Sequence, residues 1–77
     1  MKQYIVQNES PGRHVRIYEF DSLDDAVKYA NKKAKNSKSA INVLKKIGEY
    51  DKYEGYESVY NTKGYNVGIR YYIGVNN

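Results

Sequence analysis

Residues 22–36 are the only stretch of this chain with a helical period, and both flanks alternate like strand. Leu23, Ala26, Val27, Ala30 and Ala34 recur at three-and-four spacing and make one apolar stripe. A single amphipathic helix has no helical partner on which to bury that stripe, so it must lie across a sheet. The stretch carries its own boundaries. Asp21 or Ser22 can cap its start, and Asp24 and Asp25 place negative charge where the helix dipole is positive. Lys32, Lys33 and Lys35 load the opposite end, which favours cations, and Asn36-Ser37 stops the helix.

The flanks supply the strands. Residues 2–8 and 13–20 read as an antiparallel hairpin around the turn Glu9-Ser10-Pro11-Gly12. Residues 40–50, 56–61 and 65–75 give three more strands, with a turn or bulge over residues 51–55. A second turn falls at Asn61-Thr62-Lys63-Gly64, with Gly64 in the left-handed position. The last stretch alternates most regularly. Tyr65, Val67, Ile69, Tyr71, Ile73 and Val75 fall on one face, and Asn66, Gly68, Arg70, Tyr72, Gly74 and Asn76 on the other. Period two over eleven residues predicts one buried face, with Ile69 packed toward Val27 of the helix, and one wet face. The expectation is a single domain over residues 1–77, an α+β fold of order ββαβββ. Its sheet is mostly antiparallel, with one helix on one face.

Composition narrows the function classes. The chain has 77 residues, no cysteine and one histidine, His14. Thiol nucleophiles, disulfides and thiolate metal sites are therefore out of reach. His14 has no cysteine to activate, and the scattered acids match no zinc or calcium spacing. Glu49, Asp51, Glu54 and Glu57 sit in a turn-rich, tyrosine-studded stretch and read as a solvated run. There is no glycine-rich phosphate loop and no apolar run long enough for a membrane span, and no secretory signal is expected. The expectation is a non-enzymatic protein of the cytoplasm, with no cofactor, metal or membrane.

Charge and tyrosine carry what signal remains. Residues 26–48 contain seven lysines and no acid, while residues 1–25 hold three basic and five acidic residues, and residues 49–77 three and four. The net +4 is thus a +7 middle between flanks of −2 and −1. Lys28, Lys32, Lys35, Lys45 and Lys46 are the candidate contacts for phosphate or an acidic partner. A lysine-rich helix end also serves simply as dipole complement. Ten residues are Tyr, seven of them at positions 50–72, against one Phe and no Trp. Alternation sends about half of these inward, and the rest suit a recognition surface. The expected partner-binding set is Arg16 and Tyr18 with Arg70 and Tyr72, on the sheet face opposite the helix. Lys, Asn, Ile, Tyr, Phe and Met make up 36 residues, a bias toward A+T-rich codons. A tiny chain of this profile reads as a bacteriophage or mobile-element accessory protein that occupies a host protein's surface in a bacterial cytoplasm. Direct nucleic-acid binding is the alternative. Self-association into a homodimer is expected, because it would cover a sheet edge or open face.

Overall fold

The computed structural model describes residues 3–8 and 18–74. Its elements follow the expected order: β1 (Tyr4–Asn8), β2 (Tyr18–Phe20), α1 (Leu23–Ala34), β3 (Ile41–Glu49), β4 (Tyr53–Asn61) and β5 (Arg70–Gly74). The five strands form one antiparallel sheet in the order β2-β1-β3-β4-β5, so β3 is central and β2 and β5 are its edges. The β1–β2 hairpin pairs as read, Tyr4 with Phe20 and Val6 with Tyr18. Residues 13–17 of the expected second strand lie outside the described residues.

The helix obeys its local chemistry. Ser22 is the N-cap, its Oγ accepting from the Asp25 N–H at 3.1 Å, with Asp24 and Asp25 in the first turn and Lys32 and Lys33 in the last. Asn36 and Ser37 close the end with bonds to the carbonyls of Lys33 and Ala34. Ala26 and Ala30 are fully buried and small, so the helix sits close on Val6, Ile41 and Val43. Tyr18 and Phe20 of β2 clamp its edge through Tyr29, at ring separations of 4.8 and 5.4 Å.

The sheet buries residues on both faces, not one. Four successive residues of β3, Ile41 to Leu44, are buried, which only a strand covered on both sides allows. Ile41 and Val43 face the helix, whereas Leu44 joins Ile5 and Tyr56 on the other face, with Tyr71 and Ile73 packed against them. Ser58, paired with Leu44 on that second face, is buried, and its Oγ has no hydrogen-bond partner among the described residues. An unpaired buried hydroxyl is a cost with no return. Ser58→Ala is therefore expected to stabilise the fold by about 1 kcal/mol. Thermal melting should rise by about 5 °C, and a fall would mean the hydroxyl is bonded.

The last strand departs most from expectation. It spans Arg70–Gly74, not residues 65–75, and Val75 lies outside the described residues. Residues 66–69 form a turn closed by the Ile69 N–H on the Asn66 carbonyl at 3.1 Å, with Gly68 at φ +94. Gly68 then donates to the Ser58 carbonyl while Ser58 donates to that of Ile69, both at 2.8 Å. That is a glycine bulge: two residues of one strand opposite one of the other. Tyr65, Val67 and Ile69 consequently lie exposed, Ile69 at 46%, and Ile69 is no core residue. Just before it, Gly64 takes φ +78 and bonds to the Asn61 carbonyl, as read. The Asn61 side chain accepts from the N–H groups of Lys63 and Tyr65 and donates to buried Asn42, which pins the loop to β3.

Candidate recognition surface

Cross-strand partners share a sheet face, so the register locates every candidate side chain. Tyr18 pairs with Val6, and Val6 with Val43, which faces the helix. Arg70 pairs with Glu57, Glu57 with Lys45, and Lys45 with Tyr4, again on the helix-bearing face. Tyr72 shares that parity. Tyr18, Arg70 and Tyr72 are thus on one face as expected, but it is the face that carries the helix. They do not form one site, because β2 and β5 are opposite edges, four strand spacings or roughly 19 Å apart. Tyr18 is a packing residue: its ring meets Tyr29, and the Lys33 ammonium lies 4.9 Å from its centroid. Arg16 lies outside the described residues.

Tyr72 instead belongs to a cluster at the far end of the sheet, beyond the helix. The β3–β4 hairpin turns through Asp51-Lys52, closed by the Tyr50 N–H donating to the Tyr53 carbonyl at 2.8 Å. Gly48 and Gly55 stand directly opposite each other just inside this turn, and Tyr72 pairs with Gly55. Two glycines in a strand interior leave a bare floor, and the Tyr50 ring lies on it. A Cβ on Gly48 would stand 2.9 Å from the Tyr50 Oη, and one on Gly55 would stand 3.1 Å from Tyr50 Cε2 and 3.3 Å from Tyr72 Cε1. The rings of Tyr50, Tyr53 and Tyr72 then touch one another, with centroids 5.1, 5.6 and 6.2 Å apart. Ile47 joins them through Gly55, where its Cγ1 lies 3.6 Å from the Cβ position. All four remain accessible: Ile47 and Tyr53 at 43%, Tyr50 at 49% and Tyr72 at 56%.

Ile47, Tyr50 and Tyr53 were not among the expected site residues. Their signal in the sequence is the near-symmetric spacing Gly48-x-Tyr50-x-x-Tyr53-x-Gly55, in which each glycine makes room for a ring. Gly55→Ala is expected to displace the Tyr50 and Tyr72 rings and to cost about 1–2 kcal/mol. The near-ultraviolet circular dichroism of tyrosine should fall while the far-ultraviolet signal holds. An unchanged tyrosine signal would mean the rings do not rest on the glycines.

The lysine candidates separate in the same way. Lys28 and Lys35 lie three residues before and four after Asn31, so they share its side of the helix. Asn31 accepts a hydrogen bond from the Tyr60 hydroxyl at 2.9 Å, which turns that side toward β4. Lys32 sits above the row, and all three are exposed. Lys45 is exposed on the sheet beside Glu57, and Arg70 lies 3.9 Å from the same carboxylate. Lys46 is on the opposite face, tied to Glu49 and, at 2.6 Å, to Glu54. Those two carboxylates raise the Lys46 pKa well above the usual lysine range, and Lys46 in turn lowers that of Glu54. Burial raises the neighbouring Tyr56 phenol, which donates to Glu54 at 3.1 Å. Lys46 is therefore bound within the fold and is no free contact for phosphate.

Among the described residues, no three His, Cys, Asp or Glu side chains gather where a metal could sit, and no helix is long and apolar enough to cross a membrane. No family model, curated protein or solved structure matches the chain.

Proposed function

We propose that this chain is a non-enzymatic recognition module that docks on another protein through Ile47, Tyr50, Tyr53 and Tyr72. The observation that carries this reading is the mutual contact of three half-exposed tyrosines over a glycine floor. Tyrosine offers large contact area for two side-chain torsions, and rings already seated on backbone lose little further freedom on binding. The surroundings are close to neutral. Around the cluster the four cations Lys45, Lys46, Lys52 and Arg70 are matched by the four acids Glu49, Asp51, Glu54 and Glu57. A protein surface suits such a patch better than a polyanion, whose binding needs uncompensated cations. In the cytoplasm of a bacterial host, an accessory protein of a bacteriophage or mobile element would use this surface to cover a working face of a host protein.

The second reading is nucleic-acid binding, favoured by Lys28 and Lys35 on the β4 side of the helix and Lys32 above them. Salt and nuclease separate the two. Capture from a bacterial lysate on the immobilised chain should retain a protein after nuclease treatment and at 0.5 M salt. Retention that nuclease abolishes, or that falls steeply with salt, would overturn the protein-docking reading.

A further inference from the structure

The end of the sheet away from the tyrosine cluster brings together lysines without acids and an exposed apolar loop. Lys32 lies in the last turn of α1, Lys35 caps it, Lys38 follows in the linker, and Lys63 lies in the loop between β4 and β5. The Lys63 ammonium donates to the Lys38 carbonyl at 3.1 Å, which ties that loop to the linker. All four lysines are exposed. Residues 26–48 and 58–77 hold no acid, and Asp24 and Asp25 sit at the opposite end of the helix, roughly 15 Å from Lys35. Around the tyrosine cluster acids match cations, so unbalanced positive charge gathers at this end instead.

The loop holds apolar side chains in water. Residues 63–70 are all exposed, and among them Tyr65, Val67 and Ile69 stand at 58, 54 and 46%. Its backbone is fixed at both ends. The Asn61 side chain accepts from the N–H groups of Lys63 and Tyr65, while Gly68 and Ile69 bond to Ser58. Such a loop loses little freedom when its side chains are covered. Turns are ordinarily filled by small polar residues, and three apolar ones rimmed by lysines mark a contact surface.

Lysines alone would suit any polyanion. Val67 and Ile69 narrow the choice, because an aliphatic side chain offers a base no ring to stack on and gains nothing from a phosphate. A bilayer takes both, with ammonium groups among its headgroups and apolar groups beneath them. We propose that this loop rests on a membrane surface rich in anionic phospholipid, with Tyr65 and Val67 entering the boundary between headgroups and acyl chains and Lys35, Lys38 and Lys63 on the lipid phosphates. Tyrosine suits that boundary, its ring apolar and its hydroxyl polar. Contact is with the surface, since no helix among the described residues is long and apolar enough to cross. The expectation of no membrane, drawn from the lack of a spanning run, is revised to that extent. Gly48 and Gly55, which floor the tyrosine cluster, lie about seven residues along β3 from Ile41 at the lysine end, or roughly 23 Å. The cluster therefore stays clear of the lipid and open to a protein, and neither surface depends on the other.

Flotation with vesicles of phosphatidylcholine containing about one third phosphatidylglycerol, at about 0.1 M salt, tests the proposal. The chain is expected to float with these vesicles and to stay behind with phosphatidylcholine alone. Tyr65→Ser combined with Val67→Ser removes the apolar tip and no charge. It should weaken binding at least about tenfold with the far-ultraviolet circular dichroism unchanged. Val67→Ser alone, with a smaller loss, replaces the pair if the pair disturbs the fold. Lys35→Gln, Lys38→Gln and Lys63→Gln together should abolish flotation. A wild-type chain that stays in solution overturns the proposal, as does flotation retained in full by the folded serine variant or by the lysine variant. In any of these cases, a single-stranded oligonucleotide bound by the wild type and lost by the lysine variant assigns the lysines to nucleic acid. None of these results touches the docking reading, which is tested by capture of a protein.

Discussion

Leu44→Ala is expected to remove about 3 kcal/mol of stability, and Ile69→Ala less than about 0.5 kcal/mol. Leu44 is 1% exposed on the central strand, paired with Ile5 and Ser58 and packed with Tyr56. Truncating it loses the transfer free energy of three carbons and leaves a cavity that a sheet cannot close by moving one side chain. A domain of this size holds about 5–10 kcal/mol in all, so the melting temperature should fall by about 15 °C. Ile69 belongs to the same alternating run that predicted a buried face, but it sits after a turn and is half exposed. Denaturant melts of the two variants compare the two positions directly. Equal losses would return Ile69 to the core and contradict the bulge at Gly68.

The contrast shows where the sequence is legible. The helix is legible because its signals agree: the apolar stripe, the Ser22 cap, acids in the first turn and lysines in the last. The element order ββαβββ and the β1–β2 hairpin follow from alternation and from Pro11-Gly12 between the two runs, whereas the order of the strands across the sheet does not. Alternation fails at residues 65–69 because turn chemistry overrides it. Asn66 at φ 57 and Gly68 at φ 94 break the ladder, and Tyr65, Val67 and Ile69 around them keep their period while losing their face. Tyr18, Arg70 and Tyr72 also take the helix-bearing face and not the opposite one expected for them. Side-chain parity within a strand says which residues are together but not which face they take, and that needs the register to a neighbouring strand. Lys46 and Tyr18 illustrate the remaining gap. Only cross-strand geometry shows that one is held by two carboxylates and that the other is part of the helix clamp.

The tyrosine cluster carries the second large effect. Tyr53→Ala combined with Tyr72→Ala keeps Tyr50 on its glycine floor and removes the two rings that flank it. Both rings are about half exposed, so the fold should survive with its helical signal intact. Their loss from the centre of an interface is expected to cost at least about 2 kcal/mol, or about 30-fold in affinity. The matched comparison is the charge reversal Lys28→Glu, Lys32→Glu and Lys35→Glu, which leaves the cluster untouched and abolishes the cationic row. The decisive measurement is the affinity of the protein captured from the lysate for these two variants beside the wild type, at fixed salt. Recognition through the cluster predicts that the tyrosine variant loses binding at least 30-fold while the lysine variant stays within about threefold of wild type. Full binding by the tyrosine variant, with loss in the lysine variant, would contradict it.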